Sequence, residues 1–311
     1  MRRRQRGMIL LSAIVLVALA AVVTTALFFD TGMAERRSAA NFGMEQALQF
    51  GRGTEAVAAY ALTEDRDQFD TPYDSWATPL PPQEVMPGQS IEAQVVDLQG
   101  RFNLNSLVNS NDERDENAHK VFVRLLELLE LEPRWADMVG DWIDPDVQPS
   151  PEGGEDSLYT SQKPPYRAAN MAISSISELM ELPGFTREMY VRLAPHVTAL
   201  PPTVRAINVC MADGFVLDAL FALSTSSPGH TEFSLLTVEE LADRRRQGCF
   251  PRRAVITANE EAMQAMAIER SYWFRLHTWV RIGTAQFALY SLLNRDNGNQ
   301  VRPYARSFGT E

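Results

Sequence analysis

Met1-Arg-Arg-Arg-Gln-Arg-Gly7 opens the chain, and Met8-Ile-Leu-Leu-Ser-Ala-Ile-Val-Leu-Val-Ala-Leu-Ala-Ala-Val-Val-Thr-Thr-Ala-Leu-Phe-Phe29 follows without a single charge. At ~1.5 Å rise per residue the second stretch is long enough to cross a bilayer core as one helix. Arg2, Arg3, Arg4 and Arg6 hold its front flank on the cytoplasmic side, so the remaining chain lies across the membrane. A secretory signal is cut after its apolar region. Here the basic leader ends in Gly7, immediately before the apolar run begins at Met8.

Beyond Phe29, the apolar residues Phe42, Ala47, Leu48, Val57 and Tyr60 recur at helical spacing. One helix is predicted from Met8 to Leu62, weakened by Gly43, Gly51 and Gly53. Thr63 to Gln89, rich in proline and acid, reads as a surface connection, and Ile91 to Asp97 as a strand. Helices are predicted over Ala118–Leu131, Arg134–Ile143, Ser177–Leu182 and Thr186–Leu193, with a long acidic loop from Pro145 to Pro165. Val204–Val209 reads as a returning strand, followed by helices near Phe215–Leu223 and Val238–Arg246. Strand signals then cover Ala254–Thr257, Tyr272–Ile282 and Ala285–Leu293. A long helix, a strand, a helical insertion and further strands make an α+β plan with an inserted all-α domain.

The chain has 311 residues, room for more than one folded module, and a formal net charge of -11. Loss of the four leader arginines would leave about -15. That balance argues against nucleic acid or anionic lipid as a partner of the body and is compatible with cations. No phosphate loop, Gly-x-Ser-x-Gly, His-Glu-x-x-His or Cys-x-x-Cys is present, and His119, His196, His230 and His277 stand apart, so no catalytic residue is assigned. Tyr272, Trp273, Phe274 and Trp279 read as strand core or interface. Cys210 and Cys249 lie in the part expected in an oxidising compartment, which favours a disulfide over two buried thiols.

The acidic loop gathers Asp141, Asp144, Asp146, Glu152, Glu155 and Asp156. Hard cations such as Ca²⁺ take six to eight oxygen ligands. Asp144-x-Asp146-x-Gln148 starts like an EF-hand loop, but Pro149 occupies the position that needs glycine, which excludes that motif. From composition alone the segment reads either as a solvated loop or as a cation site.

A basic leader closed by glycine before an apolar run resembles that of type IV pilin-like proteins, cut between Gly7 and Met8, with the apolar helix retained as a packing stem. Such subunits usually carry Glu at the fifth mature position; here it is Ser12. Further along, Asp97-Leu-Gln-Gly-Arg-Phe-Asn-Leu-Asn-Ser-Leu107, Asp141-Trp-Ile-Asp-Pro-Asp146, Gly153-Gly-Glu-Asp156 with Tyr159, Pro165-Tyr-Arg-Ala-Ala-Asn170, Ile176-Ser-Glu-Leu179, Leu182-Pro-Gly-Phe185 and Ile207-Asn-Val209 stand in one order. That ordered set resembles the K-type minor pseudopilin of the type II (general) secretion pathway, from the leader to at least Val209. Cys210-Met211 departs from the small polar continuation expected after Ile-Asn-Val, so the disulfide reading rests on the compartment.

The resemblance implies a pilin-like fold: leader 1–7, transmembrane stem 8–29, periplasmic stem 30–62, a pilin-like α+β domain from 63–103 and 204–311, and an inserted α-helical domain 104–203. It implies a non-catalytic, single-pass protein of the Gram-negative inner membrane with a periplasmic body. Prepilin peptidase would cut it at Gly7, Met8 would be N-methylated, and Ser12 would mark a subunit with nothing stacked above it. Partners would be the I-type and J-type minor pseudopilins and the inner-membrane assembly platform, with exoproteins and the secretin facing the insertion. Calcium would bind Asp144, Asp146, Gln148, Glu155 and Asp156, while Asp141 braces the helix carrying Trp142.

Leu182-Pro-Gly-Phe185 also resembles a helix-hairpin-helix turn, but Phe185 and the nearby Glu178, Glu181 and Glu188 favour a structural connection over DNA binding. Arg244-Arg245-Arg246 with Arg252-Arg253 reads as a solvated basic face. The alternative function is an anchored periplasmic module that captures a cation or an exoprotein outside any filament.

Overall fold

The computed structural model describes residues 2–227, 229–257 and 260–309, with side chains from residue 10 onward. Gly7 and Met8 therefore lie outside the described side chains. A single helix, α1 (Arg2–Glu64), forms the stem. Its first half is exposed all round: Leu10, Leu16, Val22 and Phe29 are each more than half exposed. Among the described residues it is the one helix long and apolar enough to cross a membrane.

From Ala47 onward the stem lies on a five-stranded antiparallel sheet built from β1 (Leu80–Met86), β2 (Gln89–Asp97), β7 (Trp273–Ile282), β8 (Ala285–Arg295) and β9 (Val301–Phe308), in the spatial order β1-β2-β7-β8-β9. Period-two alternation aims Ile91, Ala93 and Val95 of β2, and Phe274, Leu276 and Val280 of β7, at the stem. Ala47, Ala58 and Leu62 meet them from α1. Small residues bring the stem close: a β-carbon at Gly51 would stand 2.5 Å from Leu289 Cδ2. The glycine that weakens the helix locally is thus where it presses on β8.

Two of the five strands were not expected. β1 carries Pro81 and Pro82 and is exposed throughout, while β9 carries Pro303 beside a register shift opposite Leu292 and Leu293. Both are edge strands, where proline is tolerated because one row of backbone groups has no neighbour to bond.

The rest of the molecule lies between β2 and β7, which pair with each other from Gln89↔Ile282 to Asp97↔Phe274. This helical body begins with β3 (Phe102–Asn103), then α2 (Glu116–Leu128), α3 (Trp135–Ile143), α4 (Asp156–Thr160) and α5 (Arg187–Leu193). It continues through β4 (Val197–Thr198), β5 (Ile207–Asn208), α6 (Gly214–Leu220), α7 (Val238–Arg245), α8 (Arg253–Ile256), α9 (Glu261–Met266) and β6 (Ala267–Ile268). The architecture is α+β, with a long apolar N-terminal helix on an antiparallel sheet and a helical insertion.

Three sequence readings are corrected. Val204–Val209 does not return to the sheet: only Ile207–Asn208 is extended, and it pairs in parallel with Ala267–Ile268. Ala254–Thr257 is not a strand; Arg253–Ile256 is one helical turn that buries Ile256. Of residues 204–266, assigned above to the sheet domain, Val204 and Met211 touch sheet residues, but the helices pack elsewhere. Val216, Leu217, Leu241 and Met263 share one core with Phe102, Phe122, Trp135 and Leu193. The apolar faces of α6, α7 and α9 find that core sooner than the distant sheet.

The asparagines of Phe102-Asn-Leu-Asn105 fasten the start of this core to a later segment. Asn103 donates to the carbonyls of Pro201 and Val204 and accepts from Leu200 N–H. Asn105 donates to the carbonyls of Ile173 and Leu200 and accepts from Ile173 N–H. Both are nearly inaccessible to solvent, so each hydrogen bond replaces one that water would have made. Cys210 and Cys249 form a disulfide across the same core, with Cα atoms 4.8 Å apart.

Candidate metal centre

Helix α3 ends at Ile143, and the acidic loop starts at once. Asp141, on the last turn, is fully buried and accepts from Ser150 N–H at 2.9 Å. A β-carbon on Gly153 would collide with that carboxylate, so only glycine lets the returning loop pass it. Asp137, one turn earlier, accepts from Glu152 N–H, from His119 Nε2 at 2.8 Å, and pairs with Arg114. Two carboxylates of α3 thus tie the loop back onto the helix that launches it.

The loop brings three of the five candidate ligands together. Carboxylate oxygens of Asp144, Asp146 and Glu155 all lie within 4.8 Å of one another. Glu155 is buried, and neither of its oxygens has a hydrogen-bond partner; Asp144 Oδ1 is likewise buried and unpartnered. Burial, followed by the charges of Asp146 and Asp141, pushes Asp144 up to about 6. Burial, followed by Asp144, Asp141 and Asp146, pushes Glu155 up to about 7. Three carboxylates left this close and this poorly hydrated repel one another unless protons or a cation intervene. The donor set is all oxygen, which suits a hard divalent cation such as Ca²⁺.

The other two candidates sit differently. Asp156 starts α4; its Oδ1 accepts from Ala168 N–H and its Oδ2 faces Arg167 at 3.7 Å. Gln148 is exposed, and its backbone N–H donates to Asp146 Oδ1 at 2.7 Å. Sequence reasoning overlooked Asn170. Its Nδ2 donates to the carbonyl of Asp146, and its Oδ1 is buried without a partner. Asn170 has φ 47°, a left-handed conformation that asparagine tolerates better than most residues. Beneath the cluster, Trp142 meets Tyr159 edge-on at 5.0 Å, and Tyr159 leans on Tyr166.

The remaining sequence features are structural. Phe185 of the hairpin-like turn is buried edge-on against Trp135, at 5.0 Å, and Gly184 takes the positive φ. The basic run is not a uniformly solvated face. Arg245 is buried and donates to the carbonyls of Val209, Ala212 and Phe250, while Arg244, Arg246 and Arg252 lie over Phe250, Tyr73 and Phe69.

Comparison with known proteins agrees with this architecture. Residues 100–202 match the family described as Type II secretion system (T2SS), protein K. The chain is 31% identical to Type II secretion system protein K of Pseudomonas aeruginosa, over 99% of this chain and 94% of the relative. It is 29% identical to the Pectobacterium carotovorum protein, over 99% of this chain and 98% of the relative. In structure it resembles a chain of the GspK-GspI-GspJ complex from enterotoxigenic Escherichia coli, with a TM-score of 0.70 and 22% identity, covering 88% of this chain and 100% of that one. With a long apolar stem on an antiparallel sheet, an inserted helical body and near full-length likeness to such relatives, this chain belongs to the type II secretion system protein K family, as a minor pseudopilin.

Proposed function

We propose that this chain is the tip subunit of the pseudopilus. It is anchored in the Gram-negative inner membrane by residues 8–29, with its body in the periplasm, and acts without catalysis. Prepilin peptidase removes residues 1–7, and Met8 becomes the methylated amino terminus. The stem then packs beside the stems of the I-type and J-type minor pseudopilins, a partnership suggested by the complex in which the structurally similar chain was solved. The observation that carries this reading is the division of α1. Among the described residues, the large apolar side chains of its front half are exposed, and its rear half is clamped to the sheet. An apolar helix free on every side needs lipid or other helices around it. Ser12 fits the tip position, because a carboxylate there would need a subunit above to pair with it.

Asp144, Asp146 and Glu155 hold Ca²⁺ on this reading, with Asn170 Oδ1 as a neutral oxygen beside them. The ion would supply the positive charge the cluster lacks and stiffen the loop on the outward-facing body.

Amino-terminal sequencing tests the anchor: the mature protein should begin at Met8, and replacing Gly7 with a bulky residue should leave an uncut precursor and stop secretion. Photo-crosslinkers at Leu16 and Phe42 should capture other pilin-like stems. Normal secretion by the Gly7 variant, or capture of no stem at either position, would overturn the tip assignment in favour of an anchored binding module outside the filament.

A further inference from the structure

The helical body and the sheet meet along a seam marked by Arg101, and beside it lies a cavity of about 80 Å³. Both bodies build its walls: Arg101 just beyond β2, Ser175 and Ser177 at the turn before α5, Tyr190 on α5, and Arg275 on β7. Among the described residues, no carboxylate lines it. In a chain with 40 acidic against 29 basic residues, a concave site with two guanidiniums and no acid runs against the composition.

We propose that this notch receives the carboxylate side chain of a protein partner. Arg101 is half-buried; its charge acts on the buried Asp97 at the end of β2, but among the described residues its guanidinium makes no hydrogen bond or ion pair. A guanidinium presents a planar fork of donors that matches a carboxylate, and partial burial strengthens such a pair relative to one in open water. Arg275 and Tyr190 each already hold an interaction of their own. Ser175 Oγ and Ser177 Oγ lie 2.8 Å apart. Their mutual bond uses one hydroxyl proton and leaves the other to donate. The nearest acid on that turn, Glu178, has its Oε1 committed to Ser174 and Ser175 and does not line the cavity. At roughly 30 Å³ per water, the notch has room for two or three waters, which suits one carboxylate. Because the walls come from both bodies, a bound carboxylate would bridge the insertion and the sheet. This site does not depend on the tip assignment.

The test uses the full chain in detergent micelles at constant ionic strength, read by ¹⁵N NMR of the arginine Nε–H signals. The probes are a blocked glycyl-glutamyl-glycine peptide, its glutaminyl counterpart and inorganic phosphate. The glutamyl peptide should shift the Arg101 signal saturably, and the glutaminyl peptide should not. Arg101→Gln should weaken binding at least tenfold; Arg101→Lys, which keeps the charge and loses the fork, should fall between. If Arg101→Gln does not fold, Ser177→Ala, at an exposed position, should weaken binding about threefold. Equal shifts with both peptides, tighter binding of phosphate than of the glutamyl peptide, undiminished binding by the variants, or no saturable shift at all would each overturn the proposal.

Discussion

Glu55 of the stem and Arg306 of the last strand are joined by two parallel contacts, Nε and Nη2 each 2.8 Å from a carboxylate oxygen. Ser291 Oγ donates to the same Glu55 carboxylate from β8. The edge strand β9, otherwise exposed, is thereby pinned to the helix through a residue near the helix's C-terminal end.

Glu55→Gln should lower stability by about 1.5–3 kcal/mol, the range for a hydrogen bond to a charged group, because Arg306 is partly exposed and can rehydrate. Burial alone would raise Glu55, but Arg306 and Ser291 hold it below the ordinary glutamate value of 4.5. The clamp therefore contributes fully above that value and is lost as pH falls through the lower folded one. Urea unfolding of the wild type and Glu55→Gln at pH 7 and pH 3 should show the difference between them shrinking in acid.

Gly153→Ala should open the acidic loop. Its new methyl group would meet the buried Asp141 carboxylate, which must move and release Ser150 N–H. We expect a loss of about 1–3 kcal/mol from overpacking. Hydrogen exchange should show faster exchange confined to residues 144–156, with the sheet amides unchanged.

Without metal, the chain should be more stable at pH 5 than the raised carboxylates allow at pH 8. Asp144 and Glu155 are pushed above their unfolded values of 3.8 and 4.5, so their contribution is present at low pH and is lost as pH rises through about 6 and 7. Calcium should remove that loss. At a hundredfold excess over Kd it adds about 2.7 kcal/mol, and EDTA should reverse it. Asp144→Asn and Glu155→Gln should abolish the calcium-dependent rise in Tm. An unchanged Tm and no heat of binding at millimolar Ca²⁺ would reject the metal reading.

Replacing Cys210 and Cys249 together with serine should destabilise the helical body by about 2–4 kcal/mol, from the freedom returned to a loop whose ends are 39 positions apart. Guanidinium unfolding with and without reductant should converge for the variant and differ for the wild type.

The features with strong local signals were legible in the sequence. The uncharged run after Gly7 announced the stem, and the alternation in Tyr272–Ile282 announced β7. Edge strands were hidden, because Pro81, Pro82 and Pro303 argue against a strand unless its place at the margin is known. Residues 204–266 were misplaced because apolar periodicity says that a helix has a buried face but not which core buries it. At the acidic loop, the clustered acids pointed to Asp144, Asp146 and Glu155. The turning of Asp156 towards Ala168 and the arrival of Asn170 depend on how the chain folds back, which spacing does not encode.

The helical body leaves the sheet after Asp97 and rejoins it at Trp273, and those two strand ends are already neighbours, with Leu98 N–H donating to the carbonyl of Trp273 at 3.1 Å. A short reverse turn would satisfy the same geometry. The large passenger is therefore carried at one hairpin corner. It can lengthen, shrink or change its surface without disturbing strand pairing, so that its outer surface is free to diversify while the sheet under the stem stays constant.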